Sequence, residues 1–315
     1  MVRVLCTGDI HIGRPISGIP NEAAIGQIKT ASAWEAIVDL ALSECPDLVA
    51  ISGDIIDEKN KYFEAVGPVE RGLTKLRNSG IAVVAVAGNH DWEVLPVIAR
   101  ANPGLIHLIG LNQQWERKTI DRDGQPLIHV DGWSFSSRHT AVDPLDSYRA
   151  EHPGTAPVLG LVHVDLDATE RKYAPTSRWK LQQQPVDAWL IGHIHVPLLI
   201  ENTPSPPILY PGSPFAIDPG ETGMHGAWML HFDGGHPPRF EFFQLSPVQF
   251  GMIDIDVTGG TYEADVLEQI ERAVRDHLDA VEKAKCLELL LLRVTLIGVL
   301  PAGLSLADIV QRIPE

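Results

Sequence analysis

Through the first hundred positions, short runs of β-branched and aliphatic residues alternate with stretches of helical spacing, the pattern of successive strand-helix-strand units. Val2 to Cys6 reads as a buried strand, with Thr7-Gly8-Asp9-Ile10-His11 as the turn after it. A helix is predicted from about Ile25 to Leu42, and a strand over Asp47 to Ile51 that ends in Ser52-Gly53-Asp54. A second helix, near Val69 to Arg77, leads to a strand over Ile81 to Val86 that ends in Gly88-Asn89-His90-Asp91. Beyond residue 100 the strands crowd together: Leu105 to Leu108, Trp115 to Ile120, Leu127 to Val130 and Trp133 to Ser136. Pro157 to Val162 and Val186 to Ile191 are buried runs that stop at His163 and at Gly192-His193-Ile194-His195. Strands at Ile208 to Tyr210, Ala227 to Phe232 and Arg239 to Leu245 meander to a close. The proline-rich Thr203 to Pro207 reads as a loop. A two-sheet core with helices outside satisfies this order.

The texture changes near Ser246. Met252 to Val257 puts Ile253, Ile255 and Val257 on one side and Asp254 and Asp256 on the other, a half-buried strand. Thr261 to Lys285 repeats Leu267, Ile270, Val274, Leu278 and Val281 at steps of three and four, an amphipathic helix. Leu287 to Ile297 returns as a strand, and Ser305 with Asp308 caps a short last helix. The expected division is therefore residues 1–246 and a small βαβ unit over 247–315.

Composition adds bounds. The 315 residues are 44% hydrophobic and 21% charged, too apolar for a disordered chain. Lys and Arg number 25 against 41 Asp and Glu, a net charge of −16 that opposes any coating of nucleic acid or anionic lipid by bulk attraction. Cys6, Cys45 and Cys286 are odd in number and far apart, which suits reduced thiols in a cytoplasmic protein and not a disulfide framework. No apolar run suits a signal peptide or a membrane span, since Cys286 to Leu300 carries Glu288 and Arg293.

The chemistry gathers where strands end. Asp9, His11, Asp54, Asn89, His90, His163, His193 and His195 all follow predicted strands, and strand ends of an open α/β sheet share one crevice. Carboxylate, imidazole and amide oxygen together suit divalent manganese, iron or zinc. Singly, each piece also reads as an Asx turn or a core histidine.

As a set, Asp-x-His, Gly-Asp, Gly-Asn-His, His and Gly-His-x-His resemble the calcineurin-like metallophosphoesterases. That resemblance implies a four-layer α-β-β-α sandwich and two divalent metals, manganese first, with iron, zinc or magnesium as alternatives. It puts Asp9, His11, Asp54 and His195 on one metal and Asp54, Asn89, His163 and His193 on the other, with Asp54 bridging. Such a pair activates water and clamps the phosphate for in-line attack. His90 is implied at the phosphoryl or leaving oxygen, with Asp91 orienting its ring or, alternatively, capping a helix from Trp92. Asp57 reads either as support for the site or as a solvated turn carboxylate.

Gly8-Asp9-Ile10-His11-Ile12-Gly13, Tyr173-Ala174-Pro175, Leu209-Tyr210-Pro211-Gly212-Ser213, Glu221-Thr222-Gly223 and Arg293-Val294-Thr295-Leu296-Ile297-Gly298 are similar to SbcD-type DNA repair exonuclease subunits, including the YhaO-like branch. This implies a nuclease acting on DNA ends, a C-terminal capping domain, a homodimer and an SbcC-type ABC ATPase partner with a coiled coil. Ile55-Ile56-Asp57-Glu58-Lys59-Asn60-Lys61-Tyr62 lacks the Arg-Pro or Ser-Pro that often follows in the family, and the chain stops soon after the cap, as either a truncated chain or a branch that docks on its ATPase otherwise would. Arg14, Arg138, His139, Arg171, Lys172 and Arg178 are the candidate DNA contacts, with Trp92 and Trp133 as base-stacking candidates. A small-nucleotide phosphodiesterase or phosphatase and a non-catalytic assembly platform are the alternatives.

Overall fold

The computed structural model describes residues 1–18, 29–58, 65–154, 156–260, 262–281, 286–301, 303–305, 307 and 309, with only the backbone of Ala280. Fourteen strands and five α-helices are defined among them. One six-stranded sheet has the order β12-β11-β1-β2-β3-β4, from Arg239–Gln244, Gly226–Phe232, Val2–Thr7, Leu48–Ile51, Ala82–Ala85 and His107–Leu108. The other has the order β5-β6-β7-β8-β10-β9, from Glu116–Arg122, Gln125–Trp133, Val158–His163, Ala188–Gly192, Ser205–Tyr210 and Leu198–Asn202.

The continuous apolar strands show why this is a layered fold. In β2, Leu48 and Ala50 enter a core shared with Val4, Cys6, Val130, Leu159, Leu161 and Leu190, so this core lies between the sheets. Val49 and Ile51 point the other way, to Trp34, Ile37, Leu73 and Leu76 on α1 (Thr30–Glu44) and α2 (Val66–Asn78). A strand covered on both faces needs no polar side chain, and parallel strands read this way. On the far face of the second sheet, Trp133, Trp189 and Tyr210 pack with Leu145 and with Leu181 of the short α4 (Arg178–Gln182). Truncating a fully buried ring such as Trp189 to alanine costs about 3–5 kcal/mol. The expected α-β-β-α layering is present, with a thin outer layer on the second sheet.

Several elements differ from the sequence reading. Residues 125–133 form one strand where two were expected, because Gly132 stays in register with Leu161 and Glu116. The Thr203 to Pro207 loop is shorter than expected. Ser205 already pairs with Asn202, and Pro206 and Pro207 sit in a register shift before Ile208, where the missing N–H groups are tolerated. Strand β9 and helix α4 were not anticipated. The helix expected at Trp92 begins instead as α3, Leu95–Ala101. Residues 25–28 of the first predicted helix, residues 261 and 282–285 of the last long one, and Asp308 lie outside the described residues.

At the C-terminal end, β13 (Val248–Asp256) and β14 (Leu289–Ile297) pair in parallel over nine residues, with α5 (Glu263–Ala280) between them in sequence. Ile255, Val257, Val266 and Ile270 make a small core of their own. A second cluster, Ala216 with Val248 and Phe250, joins the start of β13 to the loop after β10. Among the described residues, no helix is long and apolar enough to cross a membrane.

Candidate metal centre

Three parallel strands of one sheet and two of the other deliver the site. Beyond β1 and β2 the pairing continues into the turns: Asp9 N donates to the Gly53 carbonyl and His11 N to the Asp54 carbonyl, both at 3.0 Å. Asp9, His11 and Asp54 each adopt a left-handed backbone (φ 49, 49 and 52°), and His193 has φ 104°. Non-glycine residues seldom hold such angles, and they persist where the surroundings over-determine them. From the second sheet, His163 ends β7, and His193 and His195 follow β8. Gly88 and Gly192 allow the approach: a Cβ on Gly88 would stand 2.2 Å from Asp54 Oδ1, and one on Gly192 would stand 2.7 Å from His163 Nδ1.

The seven residues read from the sequence as ligands do converge. His11 Nε2 faces His195 Nε2 at 3.1 Å. Asp54 Oδ2 lies 3.7 Å from His11 Nε2 and 3.4 Å from His163 Nε2, and His163 Nε2 is 2.9 Å from Asn89 Oδ1. Both Asp9 oxygens are 3.1 Å from His193 N, and the His193 ring stands 5.3 Å from that of His163. Ligand-capable atoms of Asp9, His11 and His195, and of Asp9, Asp54 and His163, fall within 4.8 Å of one another.

Two tautomers are fixed. His163 Nδ1 donates to the Ser52 carbonyl at 2.9 Å, and His195 Nδ1 donates to Glu221 Oε1 at 2.6 Å, so both present Nε2 lone pairs inward. His11 Nε2, 3.1 Å from the His195 Nε2 lone pair, can share with it either a proton or a cation. Nitrogens bound at about 2.0–2.1 Å to one cation stand roughly 3 Å apart, so the donor set fits metal.

Electrostatics agree for His11 and His193, whereas at His195 burial is outweighed by Glu221 and Asp9, which raise its pKa. Burial raises the Asp9 carboxyl to about 6 despite nearby His163 and His195. Burial lowers His11 to about 4 and His193 to about 3, leaving neutral imidazoles as ligands require. Burial also acts to raise Asp54, but His163, His11 and His90 outweigh it and hold its carboxyl below the usual range.

His90 lies at the edge of this cluster with 24% of its side chain exposed. Its ring meets that of His11 edge-on, with centroids 4.7 Å apart. The carboxylate beside it is not Asp91. Asp57, 5% exposed, places Oδ2 3.6 Å from His90 Nδ1 and 3.7 Å from His11 Nδ1. Burial works against the imidazolium of His90, yet Asp57, Asp54 and Glu58 raise its pKa above the ordinary value. Asp91 turns away from the ring and accepts from Ile55 N at 2.7 Å and Gly88 N at 2.8 Å, tying the turn after β2 to the turn after β3. Its side chain caps no helix either. Burial, with Asp54 nearby, lifts it to about 7.

The candidate DNA contacts are scattered in character. Arg138 pairs with Glu58 at 2.8 Å, and Arg178 with Asp167 at 3.7 Å. Arg171 donates to the Ala141 carbonyl, and Lys172 stands over the Tyr173 ring, which meets the rings of His139 and His193 at a tilt. Arg14 is half-buried beside the turn that carries His11. Trp133 is fully buried against Phe135, so it presents no face to a base, while Trp92 packs at the edge of the same cluster. Glu221 was read only as part of a motif and emerges here as the partner of His195.

The calcineurin-like phosphoesterase family model matches residues 2–197. An uncharacterized metallophosphoesterase, YhaO, of Bacillus subtilis is 27% identical over 273 residues, covering 84% of this chain and 65% of its own length. The DNA double-strand break repair protein Mre11 of Methanopyrus kandleri is 24% identical, with 86% and 63% covered. The SbcD component of the nuclease SbcCD of Rhodobacter capsulatus is 22% identical, with 76% and 68% covered. The chain thus spans slightly under two thirds of the first two relatives.

Proposed function

The chain belongs to the calcineurin-like phosphoesterase family, and from that premise we propose that it is a metal-dependent DNA nuclease of the SbcD type, hydrolysing phosphodiester bonds at DNA ends. One observation carries the reading: candidate ligands for two metals converge beneath an accessible imidazole, His90, within a chain similar over most of its length to Mre11 and to the SbcD component of SbcCD. Asp9, His11, Asp54 and His195 would hold one cation, and Asp54, Asn89, His163 and His193 the other. Manganese suits this thiolate-free oxygen and nitrogen set. When bound, the pair activates water and neutralises the phosphate.

The chain's own groups supply the rest. Ser52 and Glu221 hold two ligand imidazoles in the tautomer that binds. Asp54 accepts from His90 N at 2.8 Å, which couples the carboxylate that would be shared by both cations to the backbone of the acid. His90, its pKa raised beside Asp57, donates a proton toward the leaving oxygen. The same reading gives residues 247–315 the part of a capping unit and the protein that of a homodimer with an SbcC-type ABC ATPase partner; what supports a partner is that the Rhodobacter capsulatus relative is named as one subunit of a nuclease, SbcCD.

The deciding experiment sets linear duplex DNA, single-stranded DNA and a cyclic nucleotide side by side, with manganese, magnesium or chelator. Manganese-dependent loss of DNA is expected. His90→Asn should reduce it by about 10²–10⁴-fold while two metals stay bound. Turnover of the cyclic nucleotide with DNA untouched would replace the reading by a small-nucleotide phosphodiesterase.

A further inference from the structure

Glu221 lies 26 residues beyond His195 in sequence and touches it in space. It is 7% exposed, and every polar neighbour of its carboxylate has a defined job. Oε1 accepts from His195 Nδ1 at 2.6 Å, while Oε2 accepts from Ile217 N at 2.7 Å and from Ser213 Oγ at 3.2 Å. Below Ser213, the fully buried His225 ring donates from Nδ1 to the Ser213 carbonyl at 2.9 Å, with Nε2 3.2 Å from the Glu221 carbonyl. The segment is also tied to the C-terminal unit. Thr222 forms a β-bridge with Phe250, and Gly223 N donates to the Phe250 carbonyl at 3.0 Å on β13.

We infer that Glu221 is a positioning residue for the metal centre, acting through His195 and not on the substrate. A neutral imidazole carries one ring proton, and whichever nitrogen holds it cannot bind metal. By accepting from Nδ1, Glu221 turns the Nε2 lone pair toward His11 and Asp9. Its charge also makes that nitrogen a stronger donor, the part played by a carboxylate behind a metal-binding histidine. Ile217 N and Ser213 Oγ occupy the other oxygen, so the carboxylate cannot swing away. The inference rests on the two-metal reading above and adds a residue outside the ligand set.

Titration calorimetry of the full chain with manganese tests it, with cobalt absorption as a spectroscopic check on the ligand field. Glu221→Gln should still bind two ions. One of the two affinities should fall about 10–100-fold and the other stay within a few-fold. The cobalt spectrum should change, and the metal-free melting temperature should move little. Glu221→Asp, which keeps the charge but withdraws it, should fall between wild type and Gln. In a His195→Ala background, Glu221→Gln should cost nothing further, because its effect passes through that imidazole. Wild-type affinities in Glu221→Gln, or a loss that adds to that of His195→Ala, would overturn the assignment. A wild-type chain that binds no metal would instead bring down the two-metal reading and this inference with it. Metal binding without DNA cleavage would remove only the nuclease reading.

Discussion

Two buried carboxylates compete for the role beside His90, and the structure gives them different work. Asp91 accepts two backbone N–H groups, from Ile55 and Gly88, and removing an acceptor strands donors that cannot reach water. Asp91→Ala is therefore expected to lower the unfolding free energy by about 2–4 kcal/mol, read from denaturant midpoints. Asp57 sits against the rings of His90 and His11. Asp57→Asn conserves volume, so the midpoint should hardly move, while kcat for DNA cleavage falls at least about tenfold with metal stoichiometry unchanged. The opposite pattern would exchange the two roles. Sequence adjacency favoured Asp91 as the partner of the ring, and adjacency was the wrong guide. Residues 90 and 91 diverge at a turn, whereas Asp57 returns beneath the ring from the turn after the neighbouring strand. The seven ligand candidates were legible because each follows a buried run that ends in a turn, and parallel strand ends must meet. Glu221 was not legible as a partner, since nothing in its spacing points to His195.

At the level of elements, apolar runs announced the parallel strands because both faces are covered, and the same signal could not show that one strand continues through Gly132. Strand β9 went unread because, as the edge of its sheet, it carries exposed Leu198 and polar Glu201 and Asn202 without clean alternation. The turns that end the strands are tighter than their composition suggests. Gly88→Ala would place a Cβ 2.2 Å from Asp54 Oδ1 and 2.8 Å from Asp54 N, so the Asp54 carboxylate must shift. Loss of at least one of the two metals is expected by calorimetry, and two intact sites would show that this turn yields freely. The β5–β6 hairpin carries a separate pH dependence. His129 pairs with Thr119 across the strands and is buried, and burial, followed by Arg117, lowers its pKa. Below about pH 6.5 the unfolded chain takes up a proton there that the folded hairpin resists. This part of the stability is thus full at neutral pH and is lost as pH falls. His129→Gln cannot titrate, so the stability of wild type relative to the variant should decline between about pH 7.5 and pH 5. A difference that stays flat with pH would show that the hairpin accepts the proton.

For the whole molecule, the order β12-β11-β1-β2-β3-β4 places the first strand at the middle of its sheet, a long-range arrangement that no local pattern encodes. The acidic balance, by contrast, could be read at once, and the structure gives it a consequence for DNA. A net charge of −16 repels a polyanion at distance, so attraction must come from a few cationic side chains and the metals. Of the candidate contacts, Arg138 and Arg178 are already engaged by Glu58 and Asp167. Taking a phosphate would mean surrendering those partners, which leaves Arg14, Arg171 and Lys172, about three cationic contacts at most. Counterion release scales with the number of phosphates neutralised, roughly 0.9 per contact on a duplex, so the plot of log affinity against log salt should slope no more steeply than about −2.7. Fluorescence anisotropy on a labelled duplex, using the isolated chain with a metal that does not support cleavage, measures this directly. Glu58→Gln, which frees Arg138, should steepen the slope by about one and tighten binding at low salt. A wild-type slope near about −6 or steeper would show that a basic surface beyond these six residues meets the DNA, and that the acidic remainder is segregated from it.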